Sequence, residues 1–211
     1  MEMLIAYLDL VPTAIFIWAT IILLRDMYHM MGRTAVSLFA AGNAMVIVAG
    51  IYKCLWKILM YVKICDFAAL NTSFFPMQST GFLLAGIGIL LMFRKGKNGV
   101  KLIAAAVPVY TSSLIFVIFQ VMGLIVMRLG IVVLAKKMGR IASVVALLMS
   151  LAAMMVMGYL SAKDFSEPIY NLYAELVNTL GQTLYLVAAC DMHRSGLADF
   201  QLEDKEQERI S

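Results

Sequence analysis

From Leu102 to Ala135 a single charged side chain, Arg128, interrupts an otherwise uncharged run. Roughly 34 helical residues would measure about 51 Å, whereas a hydrocarbon core about 30 Å thick takes about 20. The run is too long for one upright span and short for two full ones, so its flanks decide. Arg94, Lys95, Lys97 and Lys101 precede it, and Lys136, Lys137 and Arg140 follow it. A single span would put the two most basic loops on opposite sides, against the excess of Lys and Arg found in cytoplasmic loops. Two spans put them on the same side. "PVYTSS" supplies the break, because Pro108 disrupts a helical ladder and Thr111, Ser112 or Ser113 can cap a new helix. A short helix over about 99–110 and a long one over about 112–137 are therefore predicted.

The remainder of the chain repeats the pattern of long apolar runs between short basic loops. With 63% hydrophobic and 14% charged residues and a mean hydropathy of +0.89, it cannot fold as a water-soluble globule. An open strand could not satisfy its backbone in lipid, so the spans must be helices and the fold an all-α integral membrane domain. Further helices are predicted over about 3–26, 34–62, 72–94, 140–162 and 168–193, seven in all. "MEMLIAYLDL" carries an acid and no positive leader, and reads as a retained first span. In "NTSFFP", Asn71, Thr72 or Ser73 is the expected N-cap of the third helix, with Pro76 in or near its first turn. The basic loops near 25–33, 94–101 and 136–140 place the N-terminus outside and the C-terminus in the cytoplasm of a multi-pass cell-membrane protein. The acidic tail, 195–211, is expected to fray.

The formal charge of +4 sits in short loops. That suits orientation in a bilayer and gives no soluble basic face for nucleic acid, so the lipid bilayer is the expected partner. Association into a homo-oligomer is left open.

Two stretches open alike: "MGRTAVSLFAAGNAMVIVAG" from Met31 and "MGRIASVVALLMSLAAMMVMG" from Met138. Each would be the second helix of a three-helix unit entered from the cytoplasmic side. The third helices echo as well, pairing Gln78 with Asn178, Ser79 with Thr179 and Gly81 with Gly181. Three helices, a short linker helix and three more form a parallel repeat of the kind found in transporters. This span order resembles the 3+1+3 layout of the sugar-carrying SWEET proteins, the PQ-loop proteins and the nicotinamide riboside carriers. The likeness is one of span order: the chain has no PQ dipeptide, "FPMQS" from Phe75 comes nearest, and no residue role is carried over.

Polar side chains inside spans are expensive unless they face protein or a water-filled cavity, so function is sought there. Asp9, Gln78, Glu175 and Asn178 fall in the outer halves of helices one, three and seven, and Lys53 and Lys57 lie one turn apart at the outer end of helix two. Together they could line an outward-facing vestibule, with Asp9 or Glu175 pairing a lysine and Trp56 offering a stacking surface. Glu175 stands out because Asn178 and Gln182 follow it one and two turns on, on the same face. The plainer alternative leaves the charges at the interface and uses the amides to join helices. Arg128, about 15 Å from the cytoplasmic end of its helix, would pair internally with Asn43 or Gln120, snorkel, or bind an anionic solute.

Other features say less. His29 and His193 each sit near an aspartate, Asp26 and Asp191, without the spacing of a metal signature. Helix-borne HExxH, paired haem histidines and a retinal lysine in helix seven are all missing, so no cofactor or metal is expected. Cys54 and Cys65 are expected as free thiols, since a second helix continuing to Cys65 would hold them about 16 Å apart along its axis. Gly81, Ala85 and Gly88, with Ala41 and Met45, read as close helix packing. Three function classes follow: a small-solute transporter or solute-binding membrane protein, a non-catalytic sensor or assembly partner, and an enzyme acting on a lipid, for which no nucleophile–base pair is visible.

Overall fold

The computed structural model describes residues 8–94, 113–161 and 168–202. It is helical, without a strand among the described residues: α1 (Leu10–Met27), α2 (Arg33–Tyr61), α3 (Ala68–Phe93), α4 (Ser113–Lys137), α5 (Ile141–Ser161) and α6 (Pro168–Arg194). Short 3₁₀ turns at Tyr28–Met30 and Leu197–Asp199 follow α1 and α6. Five of these helices, α1 to α5, are long and apolar enough to cross a membrane. α6 is long enough but broken in composition by Glu175, Asn178, Gln182 and Asp191. The short helix expected over 99–110 lies outside the described residues, as do 3–7 of the first helix and 203–211 of the tail.

The surface and the buried polar groups differ from those of a soluble domain. Trp18, Ile21, Ile141, Met149 and Val187 point outward, while Asp9, Asp26, Asn43, Lys57, Arg128, Glu175 and Gln182 are buried. Apolar surface outside and polar groups inside is the distribution that lipid selects. The chain is an all-α, multi-pass membrane protein.

Each helix packs mainly on two others, closing a ring in the order α1, α2, α3, α4, α5, α6 and back to α1. Contacting residues fix the directions. Thr20 meets Asn43 and Thr13 meets Gly50, so α1 and α2 are antiparallel, and Gly88 against Phe39 with Gly81 against Met45 makes α2 and α3 antiparallel. Ser79 bonds Gln120 and Lys137 lies over Phe93, so α3 and α4 run parallel. Ser143 near Asp191 and Ser150 on Gly181 make α5 and α6 antiparallel, and α6 runs parallel to α1. The C-terminal ends of α1, α3, α4 and α6 thus share one end of the ring, with Arg25, Arg94, Lys136, Lys137, Arg140 and Arg194.

That basic end is filled. Leu23, Met27, Ile89, Ile131, Leu134, Met192 and Leu197 are buried there. The chain after α6, expected to fray, is docked over its first residues: Leu197 is fully buried and His29 Nε2 lies 2.7 Å from the Phe200 carbonyl oxygen. The histidine–aspartate pairs do not converge on one point. His193 Nδ1 meets Asp26 Oδ2 at 2.7 Å, whereas Asp191 takes Arg140 and the Ser143 hydroxyl, the latter at 2.6 Å. The hydrogen bonds to Asp191, ahead of the charge attraction, hold the Arg140 guanidinium above its usual pKa.

Two details correct the expected third helix. It starts at Ala68, so Asn71, Thr72 and Ser73 lie inside it and Pro76 sits in its interior. Thr72 turns its hydroxyl back to the Ala68 and Ala69 carbonyls instead of capping an N–H. In the close packing of α2 on α3 it is Gly42, not Ala41, that takes part, since Ala41 is exposed. A Cβ on Gly42 would come within 2.5 Å of Ala85 N and Gly81 O, so the two backbones touch directly.

Candidate functional site

At the end opposite the basic one the ring opens into a cavity of about 840 Å³. Eight of the nine residues singled out from the sequence line it: Asp9, Lys53, Trp56, Lys57, Gln78, Glu175, Asn178 and Gln182. They arrive there because α1 and α6 run parallel side by side, α2 returns beside α1, and each contributes an inward face one or two turns long.

The charges form a relay. Lys57 Nζ lies 2.5 Å from Asp9 Oδ2, and Lys53 Nζ lies 2.7 Å from Glu175 Oε1 and 4.0 Å from Asp9 Oδ1. The sequence left open which acid each lysine takes; the structure gives Asp9 chiefly to Lys57 and Glu175 to Lys53. The two pairs differ in exposure: the Lys53 side chain is 29% exposed and that of Lys57 only 9%. Asn178 Nδ2 donates to Glu175 Oε2 at 3.5 Å, which uses the one-turn spacing read from the sequence. Two lysines and two carboxylates leave this mouth without net charge.

Trp56 lines the cavity, but its indole N–H donates to Asp66 Oδ1 at 3.0 Å and the ring facing a lysine belongs to Phe74, 5.8 Å from Lys53 Nζ. Below the mouth the walls turn apolar, with Phe16, Val46, Phe82, Leu124 and Met154. Gln78 and Gln120 add amides to these walls, and Gln120 accepts the Ser79 hydroxyl at 3.3 Å. Of the cysteines, Cys54 lines the cavity and Cys65 is exposed, both as free thiols.

Arg128 is the predicted residue that does not line the cavity. It is fully buried just beneath, and pairs with neither Asn43 nor Gln120. Asn43 is held instead by the Phe39 carbonyl at 2.7 Å and Thr20 at 3.5 Å, and Gln120 by Ser79. Arg128 Nη2 donates to Gln182 Oε1 at 3.2 Å, and its guanidinium lies 3.3 Å from the centre of the Tyr185 ring. Tyr185 stacks in turn on Phe16, with ring centres 6.0 Å apart. Sequence reasoning missed Tyr185, although it stands one turn beyond Gln182 on the face that carries Glu175 and Asn178.

The arrangement is a pocket with a charged mouth and largely apolar walls. Among the described residues no three metal-capable side chains converge. Compared with known proteins, the chain matches no family model, no curated protein and no solved structure, so its chemistry rests on these residues.

Proposed function

We propose that this is a seven-span solute transporter of the cell membrane, built as a parallel repeat, which takes a small polar or amphipathic solute into the cavity enclosed by the ring α1 to α6. The observation that carries this reading is the cavity itself: open at one end, closed at the other by packed side chains, and lined at its mouth by a buried charge relay from three helices. Charged groups inside a lipid-facing ring are hard to account for by packing alone.

Several observations support the topology. α3 and α4 are parallel, so the chain leaving Phe93 has to re-enter at the opposite end, as a seventh span over about 99–110 would allow. The directions of α1, α2 and α3 repeat in α4, α5 and α6, and the two units meet at α3 with α4 and at α6 with α1. Ser79 and Thr179, paired by the echo, both turn their hydroxyls to the carbonyl four residues back. Gly81 and Gly181 both receive a neighbouring helix. Placing the basic end in the cytoplasm puts the N-terminus outside and turns the cavity mouth outward.

The experiment is a thermal-shift screen of purified wild-type protein against nucleosides, vitamins, sugars, amino acids and organic acids, with Glu175→Gln beside it. A ligand held well above its Kd stabilises the fold by a few kcal/mol. A shift present in wild type and lost in a folded Glu175→Gln supports the reading. The absence of a shift from every solute would overturn it in favour of a sensor or assembly role.

A further inference from the structure

We propose that the solute carries a single carboxylate, bound at the bottom of the cavity by Arg128, Gln182 and Tyr185. This rests on the vestibule reading above and names the class of its ligand.

The lining residues of α4 are Val117, Gln120, Val121 and Leu124, and the next position on the stripe of Val117, Val121 and Leu124 is Arg128. Its guanidinium is fully buried, its Nε and Nη1 have no hydrogen-bond partner, and no carboxylate pairs with it among the described residues. A buried cation in that condition is costly unless a counter-ion or further acceptors reach it. The Tyr185 hydroxyl is also buried without a partner. Gln182 gives its carbonyl to Arg128 and leaves its amide N–H on the thioether of Met154, at 3.4 Å. A thioether is a weak acceptor. The cavity floor at Gln182, with Arg128 and Tyr185 packed behind it, is thus rich in donors and poor in acceptors, the converse of the mouth, where Asp9, Glu175, Lys53 and Lys57 balance.

One uncompensated positive charge suits a monoanion better than a phosphate near −2. Glu175 and Gln182 stand two turns apart on α6, about 10 Å along the axis. The wall between them is largely apolar, with Phe16, Phe82 and Leu124. The ligand that fits has a carboxylate at one end and an apolar body of a few carbons behind it.

The test titrates the full chain, in phosphatidylcholine nanodiscs, with 3-phenylpropionate and with 3-phenylpropionamide, which matches its shape without the charge. Wild type is expected to bind the carboxylate at least tenfold more tightly, Arg128→Gln to lose that preference, and Arg128→Lys to keep part of it. Arg128→Gln alters a buried group and can unfold; the wild-type preference stands without it, and Tyr185→Phe, which deletes one hydroxyl, is expected to reduce it a few-fold. Equal affinity for acid and amide overturns the carboxylate inference and leaves the vestibule reading in place. Binding of neither, with no hit in the solute screen, overturns both. Stabilisation by phosphatidylglycerol in the nanodisc without a response to 3-phenylpropionate assigns Arg128 to a lipid headgroup and overturns the solute as its source.

Discussion

Lys53 reaches Glu175 at 2.7 Å, joining two helices that do not pack extensively on each other but share α1 as a neighbour. One turn along α2, Lys57 meets Asp9 of α1 at 2.5 Å. α2 therefore holds both helices of the opening by single charges. The two pairs look alike in sequence and differ in surroundings, and their removal should have different consequences.

Lys57→Met leaves the Asp9 carboxylate, whose side chain is 2% exposed, with only Lys53 at 4.0 Å, a lysine already engaged by Glu175 at 2.7 Å. Removing one partner of a buried pair destabilises by about 3–5 kcal/mol, whereas replacing both by apolar groups is often close to neutral. Lys57→Met should lower the Tm of the purified protein sharply, and Asp9→Leu with Lys57→Met should recover most of the loss. A double variant as unstable as the single one would contradict the pairing.

Glu175→Gln should be milder in stability and harsher in binding. Lys53 is left with 29% exposure and Asp9 at 4.0 Å, so its charge is not stranded. The Tm should change less than in Lys57→Met, while ligand-induced stabilisation disappears. Combining Glu175→Lys with Lys53→Glu keeps the pair and reverses its direction; recovery of stability without recovery of binding would assign Glu175 to the solute, not to the scaffold.

Gly42→Ala tests the contact of α2 on α3. Its new Cβ would stand 2.5 Å from backbone atoms of Gly81 and Ala85, which cannot rotate away. Overpacking costs typically about 1–3 kcal/mol and occasionally more. Gly158→Ala is the control: a Cβ there meets nothing within 4 Å, and the helix propensity of alanine should stabilise by about 0.5–1 kcal/mol. Opposite signs of the two changes in thermal unfolding are expected.

What the sequence made legible is what physics states locally. A run of apolar residues in a 211-residue chain has few ways to fold, so the ends of α2, α4, α5 and α6 fall within a residue or so of the expected bounds. The expected start of the first helix lies outside the described residues, and α3 begins about a turn early. There Thr72 can bond a carbonyl as well as cap an N–H, and only the tertiary path of the chain selects between them. The face shared by Glu175, Asn178 and Gln182 follows from helical spacing alone, and so does the one-turn step between Lys53 and Lys57. Which acid meets which lysine does not, because it depends on how α1 and α6 settle against α2. The same limit explains Arg128. Its distance from the helix end was readable, but its contacts with Gln182 and Tyr185 come from α6, 54 and 57 positions later, and no local rule brings α4 and α6 together.

The cavity mouth predicts a directional chemical label. In a variant with Cys54→Ala, Cys65→Ser and Cys190→Ala, Asn178→Cys should react with a membrane-impermeant methanethiosulfonate, because Asn178 lines the open end. Ser79→Cys should not, since Ser79 is fully buried between α3 and α4. In intact cells the reaction at position 178 is expected from the outside under the proposed orientation, which places the basic end of the ring, with Arg25, Arg94, Lys136, Lys137, Arg140 and Arg194, in the cytoplasm. Labelling only in inverted vesicles would reverse the orientation while keeping the cavity, and equal labelling of both cysteines would mean that the ring does not exclude water in the way its packing implies. A ligand that slows the label at position 178 in wild-type background, but not once Arg128 is replaced by Gln, would tie the mouth to the buried guanidinium beneath it.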